Sequence, residues 1–252
     1  MLFLLENVEN VSGRMFMGKY TFVVSKTCPV CGESTRVVKT KSKLLKESMD
    51  EDFCIHYKDF NPYFYTIWFC EHCGFAAEER TFLAPMPKRH KQIIQDFLSK
   101  RQMNLSFQEE RTVPDAVASF KLAIFYAQLL HQSYERQAGL MLELAWVYRS
   151  SGERDKEEKA LKDAADLYDT SLMKERYPIN GKTDNFVIYL IGAIYYRLHD
   201  FEKTTQYLSR IIGNQGIRSE DPQVYNMARK LWLDIREDQK GGTPTEDKKG
   251  KR

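Results

Sequence analysis

The sequence predicts an α+β protein in which a small N-terminal β module precedes an all-α domain. Two Cys-x-x-Cys-Gly turns each follow a strand-like run within the first 74 residues. From residue 87 onward, apolar residues recur at helical spacing and no strand-like alternation competes. The chain has 252 residues, of which 42% are hydrophobic, so it is long and apolar enough to build both parts.

The β module is predicted from two strand pairs. Residues 20–27 are rich in β-branched and aromatic side chains and lead into Cys28 and Cys31, after which residues 34–40 form the return strand. Residues 63–69 are a second strand-like run that leads into Cys70 and Cys73, and residues 75–82 are its return arm.

The four cysteines of these turns are predicted to bind one structural Zn²⁺. Two intervening residues let both sulfurs of a turn face one point, so Cys28, Cys31, Cys70 and Cys73 can surround zinc tetrahedrally. A glycine follows each pair, which suits the positive φ that such turns adopt. This closed shell of four thiolates indicates a role in folding and makes the module a zinc ribbon with a long inserted segment.

Thiol redox chemistry is the alternative for the Cys-x-x-Cys pairs. It is disfavoured because a redox pair usually lies at a helix N-terminus in a βαβ setting, whereas a β-type run follows Cys31. The inserted segment also holds Cys54 and His56, which are read as a small buried residue and a polar neighbour, with replacement ligands, a second metal site or a reactive thiol left open. His72 is expected to be an exposed residue beside the zinc ligands.

A basic stretch suggests a second function class, single-stranded nucleic-acid binding. Its cations would lie near the aromatic side chains Tyr63, Tyr65 and Trp68, a combination that such proteins use. The nearby acidic run at residues 50–52 would partly cancel the charge. The basic residues are Arg36, Lys39, Lys41, Lys43 and Lys46.

The helical domain is predicted from a series of amphipathic segments. They cover residues 88–102, a helix capped by Asp115, and residues 139–149 and 155–172. A terminal helix follows Pro222 and covers the end of the stack. We predict four segments. They are an N-terminal extension (residues 1–19), a zinc-ribbon-like domain (20–86), a tetratricopeptide-like helical domain (87–237) and a disordered tail (238–252). Translation is suspected to begin at Met15 or Met17, which leaves open whether residues 1–14 belong to the native protein.

Two helix pairs can be aligned as copies of one repeat. Both copies have small residues at positions where the two helices of a pair must pack closely. This pattern is similar to that of tetratricopeptide repeats. A loop at residues 177–184 lengthens the usual period. The aligned positions are Leu144 with Ile191, Ala145 with Gly192, Tyr148 with Tyr195, Gly152 with His199, Leu161 with Leu208, and Ala164 with Ile211.

Four ordered motifs carry a family resemblance. The series CPVCG, DEDF, NPYFY and CEHCGFAA, followed by a helical region of this length, resembles the bacterial domain-of-unknown-function family DUF2225. The resemblance covers about residues 26–238, with Glu71 where the family's second turn is expected to have proline. It implies a zinc-ribbon module joined to tetratricopeptide-like helices in bacterial cytoplasm, and no established activity.

The composition and the motif content argue against several function classes. A net charge of +3 gives no global attraction to nucleic acids or membranes, and no stretch approaches the ~20 apolar residues of a membrane span. Phosphate-binding, dinucleotide-binding, serine-hydrolase and zinc-protease motifs are absent from the sequence. The sequence therefore predicts a cytoplasmic protein that is not an enzyme.

The favoured prediction is a non-catalytic adaptor whose helical repeats form a groove for a peptide or a protein partner. The first helix of each repeat should line this groove, with arginines for acidic groups and aromatic rings for apolar anchors. The candidates are Trp146, Arg149, Tyr189, Tyr196 and Arg197.

Overall fold

The computed structural model describes residues 14–16, 18–99, 107 and 109–241, and it confirms the α+β class. Antiparallel strands surround the cysteine turns, and helices make up most of the chain from residue 79 onward. The expectations for residues 1–13, for Met17, for the end of the predicted helix at residues 100–102 and for residues 242–252 lie outside the described residues.

The strands pair in three small antiparallel sheets. β2 (Thr21–Thr27) and β3 (Ser34–Thr40) form the predicted hairpin, and β1 (Arg14–Phe16) adds to the free edge of β2. Within the inserted segment, β4 (Lys46–Met49) pairs with β5 (Ile55–Tyr57). The second cysteine turn lies between β6 (Ile67–Phe69) and β7 (Ala76–Glu78).

The second strand pair is shorter than the sequence predicts. Residues 62–65 form a 3₁₀ helix (Pro62–Tyr65), because Pro62 favours a helical start and the Asn61 side chain accepts a hydrogen bond from the Tyr63 backbone N–H. The return arm also ends early, at Glu78, where α1 (Glu79–Leu83) begins. The prediction of one strand over residues 63–69 and of a long return arm was therefore wrong.

The helical part follows the predicted order. After α1, helices α2 to α9 follow, and α9 continues through Gly241, beyond the predicted start of the tail. Their bounds are α2 (Lys88–Leu98), α3 (Val113–Leu129), α4 (Tyr134–Ser150), α5 (Arg154–Lys174), α6 (Asp184–Arg197), α7 (Phe201–Ile212), α8 (Gln215–Glu220) and α9 (Pro222–Gly241).

The start of α3 corrects one predicted cap. Thr112 is the capping residue, and its hydroxyl accepts from the Asp115 backbone N–H. Asp115 lies three residues later, and its carboxylate accepts from the Thr112 backbone N–H at 2.9 Å. The two residues form a capping box, so Asp115 acts from inside the helix.

The same turn ends α4 and α6 at the two aligned positions. Gly152 and His199 both have positive φ, at 73° and 57°. The next residue donates its N–H to a tyrosine carbonyl in both turns, from Glu153 to Tyr148 at 3.1 Å and from Asp200 to Tyr195 at 3.0 Å. The matched backbone pattern explains why these positions align, because each helix must end in the same left-handed turn.

The described residues cluster in two compact units. One contains residues 14–49, 55–132 and 139–157 as far as they are described, and the other contains residues 50–54, 133–138 and 158–241. In the second unit, α6, α7, α8 and α9 enclose a core that includes Ala193, Leu208, Ile211 and Leu231. The boundary at residues 86 and 87 stays a prediction. Within the described part of the chain, no helix has both the length and the apolar composition needed to cross a membrane.

Candidate metal centre

The first cysteine turn is a tight loop between β2 and β3. The Gly32 N–H donates to the Cys28 carbonyl at 3.0 Å, and the Cys28 N–H donates to the Glu33 carbonyl at 2.9 Å. Gly32 has φ of 84°, a conformation that a side chain would strain. These bonds hold the Cys28 and Cys31 side chains on one side of the loop.

The second turn repeats this geometry between β6 and β7. The Gly74 N–H donates to the Cys70 carbonyl and the Cys70 N–H donates to the Phe75 carbonyl, both at 2.8 Å. Gly74 has φ of 77°. Two sequence segments with the same spacing therefore fold into the same loop, and each presents two thiols.

The four sulfurs of the two loops converge on one point. The Sγ atoms of Cys28 and Cys73 lie 3.7 Å apart, as do those of Cys31 and Cys70, and all four lie within 4.8 Å of one another. Four sulfurs at about 2.3 Å from one ion in a tetrahedron lie about 3.8 Å from each other. The donor set and its spacing therefore fit a tetrahedral metal site, for which four thiolates select zinc or iron.

The thiols perturb one another strongly. The hydrogen bond from Cys28 lowers the pKa of Cys70, and the same interaction raises the pKa of Cys28 to about 12. Hydrogen bonding with Cys28 and with Cys70 also raises the pKa of Cys73. The cluster therefore stabilises the Cys70 thiolate and opposes ionisation of the Cys28 and Cys73 thiols. A divalent cation between the four sulfurs would favour the thiolate form of all of them.

Two helices of the same unit hold the loops in place. The Gln95 side-chain amide on α2 donates to the Val30 carbonyl at 3.2 Å in the first loop. The Tyr126 hydroxyl on α3 donates to the Gly74 carbonyl at 3.1 Å in the second loop. The Phe75 ring packs against the rings of Phe82 and Tyr126, at centroid distances of 5.7 and 5.3 Å. Neither Gln95 nor Tyr126 was predicted, because a single polar group on a helix carries no sequence signal for a remote carbonyl.

The two loops are also joined to each other through β3. The Glu71 backbone N–H donates to the Thr35 hydroxyl at 3.2 Å, and Thr35 is fully buried. His72 is exposed, and its Nε2 lies 2.9 Å from the Ser34 carbonyl oxygen. His72 therefore contacts the backbone of the first hairpin and lies outside the cluster of four sulfurs.

The remaining cysteine and its neighbouring histidine lie in the inserted segment. Cys54 is buried, with 3% exposure, and its backbone N–H donates to the Asp52 carboxylate at 3.3 Å. His56 is half-buried on β5, opposite Ser48 of β4. The burial of Cys54 matches the interpretation of a small core residue.

The basic stretch is engaged in local contacts at three of its five positions. Arg36 forms an ion pair with Glu109, and Lys39 forms one with Glu79. The Lys41 ammonium donates to the carbonyls of Gly18 and Lys19, both at 3.0 Å. Lys43 and Lys46 are exposed. The two glutamates therefore neutralise two of the five cations that a nucleic-acid strand would contact.

Two predicted groove residues of the first unit make internal contacts. The Arg149 guanidinium lies 2.7 Å from the Glu157 carboxylate, and the two side chains are only 5% and 7% exposed. The Trp146 ring packs against the Tyr63 ring at 5.1 Å. The expectation that Arg149 faces a partner is therefore corrected, because its side chain is buried against Glu157.

The three groove candidates of the second unit differ in exposure. Tyr189 is buried, and its hydroxyl donates to the Glu51 carbonyl at 3.2 Å. Tyr196 is half-buried, with its ring 6.0 Å from the Phe201 ring. Arg197 is exposed at the end of α6. Tyr189 therefore belongs to the core, while Arg197 lies at the surface.

Comparisons with known proteins give one match. The family model DUF2225, described as an uncharacterized protein conserved in bacteria, matches residues 23–235. The match begins in β2 and ends in α9, so it includes both cysteine turns and the helices. No curated protein and no solved structure matches the chain significantly.

Proposed function

The chain belongs to the DUF2225 family, and from this premise we propose that it is a structural zinc protein that acts as a non-catalytic interaction adaptor. The observation that carries the zinc proposal is the convergence of four thiols at tetrahedral spacing. Cys28, Cys31, Cys70 and Cys73 supply all four ligands. Such a closed shell leaves no position for a substrate, so the ion serves folding.

The position of the cluster supports this role. The two loops come from separate hairpins, so one ion bound by both joins β2 and β3 to β6 and β7. Each hairpin is small, and the second has only three residues in each strand. Strand pairs of this size are marginal by themselves, so a metal crosslink between them would contribute much of their stability.

The geometry favours zinc over redox chemistry. A redox pair needs two sulfurs, one of them activated at a helix N-terminus. Here Cys31 leads into β3 and Cys73 leads into β7, and the two pairs converge on one another. A metal ion with four thiolate ligands requires both pairs to converge, whereas a redox-active dithiol requires only the two sulfurs of one pair.

Native mass spectrometry with alkylation tests the zinc proposal. Protein purified without added metal should carry one zinc ion per chain, and iodoacetamide under native conditions should leave the four ligand cysteines unlabelled. After denaturation with a chelator, all five cysteines should react. A metal-free protein with readily labelled or disulfide-linked Cys-x-x-Cys pairs would overturn the proposal and favour thiol redox chemistry.

The adaptor role is supported by the helical part. α4 with α5 and α6 with α7 are helix pairs that share the turn described above, which agrees with a tetratricopeptide-like repeat. At the aligned contact position, a Cβ on Gly192 would lie 3.0 Å from a Leu208 methyl group, so glycine is what permits the close approach of α6 and α7. Met173 and Leu233 expose 71% and 53% of their surface and offer apolar contacts for a partner.

Charge reversal at Arg197 tests the adaptor role. The Arg197→Glu variant should no longer capture specific proteins that co-purify with the wild-type chain from a bacterial lysate. Arg197 is chosen because it is the exposed cation among the groove candidates. Arg176→Glu changes another exposed arginine and is the matched control. Quantitative mass spectrometry of the captured proteins reports the outcome. Equal capture by the wild type and both variants would contradict a groove at the end of α6.

A further inference from the structure

We propose that a cavity beside the first hairpin binds a nucleobase. The cavity has a volume of about 410 Å³ and lies within the first unit, between the end of β3, β5, the 3₁₀ helix, β6 and the start of α1. Its size falls within the range of about 300–1,000 Å³ that small-molecule sites occupy. No cysteine lines it, so it is distinct from the metal centre.

Four of the eleven residues that line the cavity are aromatic, and two of these rings are anchored by hydrogen bonds to the backbone. The Tyr57 and Tyr63 rings meet edge to face at 6.3 Å and form one corner of the cavity. The Tyr63 hydroxyl accepts a hydrogen bond from the Ile55 backbone N–H at 2.8 Å, and its ring also packs on Trp146. The Tyr65 hydroxyl accepts from the Arg111 backbone N–H at 3.2 Å. Tyr65 and Trp68 are buried, whereas Tyr57 and Tyr63 are half-buried, so these two rings are the ones that can stack on a planar ligand.

The charged residues of the cavity balance one another. Lys39 and Arg80 are basic, whereas Glu78 and Glu79 are acidic, so the formal charges cancel. Lys39 also pairs with Glu79, and its ammonium lies 5.3 Å from the centroid of the Trp68 ring. The aromatic face that would attract an external cation is therefore already covered by an internal one. A phosphate group gains no net attraction inside the cavity either, since two carboxylates oppose its charge there.

A neutral planar ligand that carries both hydrogen-bond donors and acceptors best fits a cavity with aromatic rings and balanced charges. Nucleobases stack on tyrosine and tryptophan rings, and their edges pair with side chains of either kind. Arginine donates to purine O6 and N7 acceptors, and glutamate accepts from exocyclic amino groups. Arg80 and Glu78 supply these two functions, and the hydroxyls of Thr40 and Thr66 can serve as donor or acceptor.

The same chemistry could come from a free nucleoside or from an unpaired strand, and titration calorimetry with the full chain separates the two. The probes are adenosine, guanosine, cytidine and uridine, followed by a ten-nucleotide single strand of the preferred base at low and high salt. A free nucleoside as the source predicts equal affinity for the nucleoside and the strand. A strand as the source predicts tighter binding that falls with salt.

Variants place the binding in the cavity. Tyr57→Leu removes a stacking ring and should weaken binding about tenfold, which corresponds to the loss of one stacking contact. Arg80→Gln removes an edge donor and should weaken binding by a similar factor of about ten. Tyr225→Leu on α9 and Arg176→Gln are matched controls outside the cavity and should stay within about twofold of the wild type.

Three results would overturn the proposal. They are the absence of binding by all four nucleosides and the strand at millimolar concentration, binding that is unchanged in both cavity variants, and binding of tetramethylammonium alone. Arg80 is exposed, so its variant should fold even where Tyr57→Leu does not, and circular dichroism checks both.

Discussion

Replacing Cys70 by serine is expected to release the metal and unfold the β module. Cys70 is fully buried, and its sulfur lies 3.7 Å from that of Cys31 in the other loop. A serine hydroxyl is a poor zinc ligand, and the three remaining thiols cannot close a tetrahedral shell. Structural zinc contributes on the order of 10 kcal/mol in small domains, which matches the whole stability of many proteins.

Hydrogen exchange with zinc quantification measures this effect. In Cys70→Ser, backbone amides of β2, β3, β6 and β7 should lose their protection, and bound zinc should fall from one per chain to none. Cys54→Ser is the matched control, because Cys54 is also buried but lies outside the cluster of four sulfurs. That variant should keep its zinc. Full protection of both hairpins in metal-free Cys70→Ser would contradict a folding role for the ion.

The cluster of four cysteines could be predicted because its geometry is encoded locally. Each pair of cysteines is presented by one short loop, and the glycine after it has the positive φ that the loop requires, at Gly32 and Gly74. Spacing therefore fixes the direction of two sulfurs at a time. Only the convergence of the two loops depends on the rest of the fold. The repeated Cys-x-x-Cys-Gly motif already indicated that the two loops share one site.

The second strand pair could not be predicted in detail, because local composition was a weaker guide than the capping residues. Residues 63–65 are aromatic and favour a strand by propensity. Asn61 and Pro62 instead start a 3₁₀ helix, and this helix brings Tyr63 and Tyr65 to the cavity. The cavity itself was not predicted, and the sequence indicated only that basic and aromatic residues lie near one another on neighbouring strands.

The groove residues could not be predicted for a related reason. Helical periodicity places Arg149 and Tyr189 on a face of a helix, but it does not say what covers that face. The partner of Arg149 lies on the next helix, and the partner of Tyr189 is a backbone carbonyl far away in sequence. Long-range partners of this kind leave no periodic signal.

Arg149→Met should therefore destabilise the protein by about 3–5 kcal/mol, because it removes the cation that lies 2.7 Å from the buried Glu157 carboxylate. The two side chains are 5% and 7% exposed, so water cannot replace the lost partner. The double variant Arg149→Met with Glu157→Leu removes both charges and should recover most of the loss, since paired apolar side chains of similar volume are often neutral. Urea unfolding followed by circular dichroism measures all of these variants.

An exposed pair provides the control. Lys162 and Glu158 lie 3.6 Å apart on α5 with side chains that are 60% and 58% exposed, so Lys162→Met should cost less than about 1 kcal/mol. A loss for Arg149→Met as small as that for Lys162→Met would show that Arg149 is solvated and would return it to the groove. A large loss that the double variant repairs would instead assign Arg149 to the junction of α4 and α5. In that case, reduced partner capture by an Arg149 variant would reflect unfolding, and only exposed positions such as Arg197 can test the adaptor role.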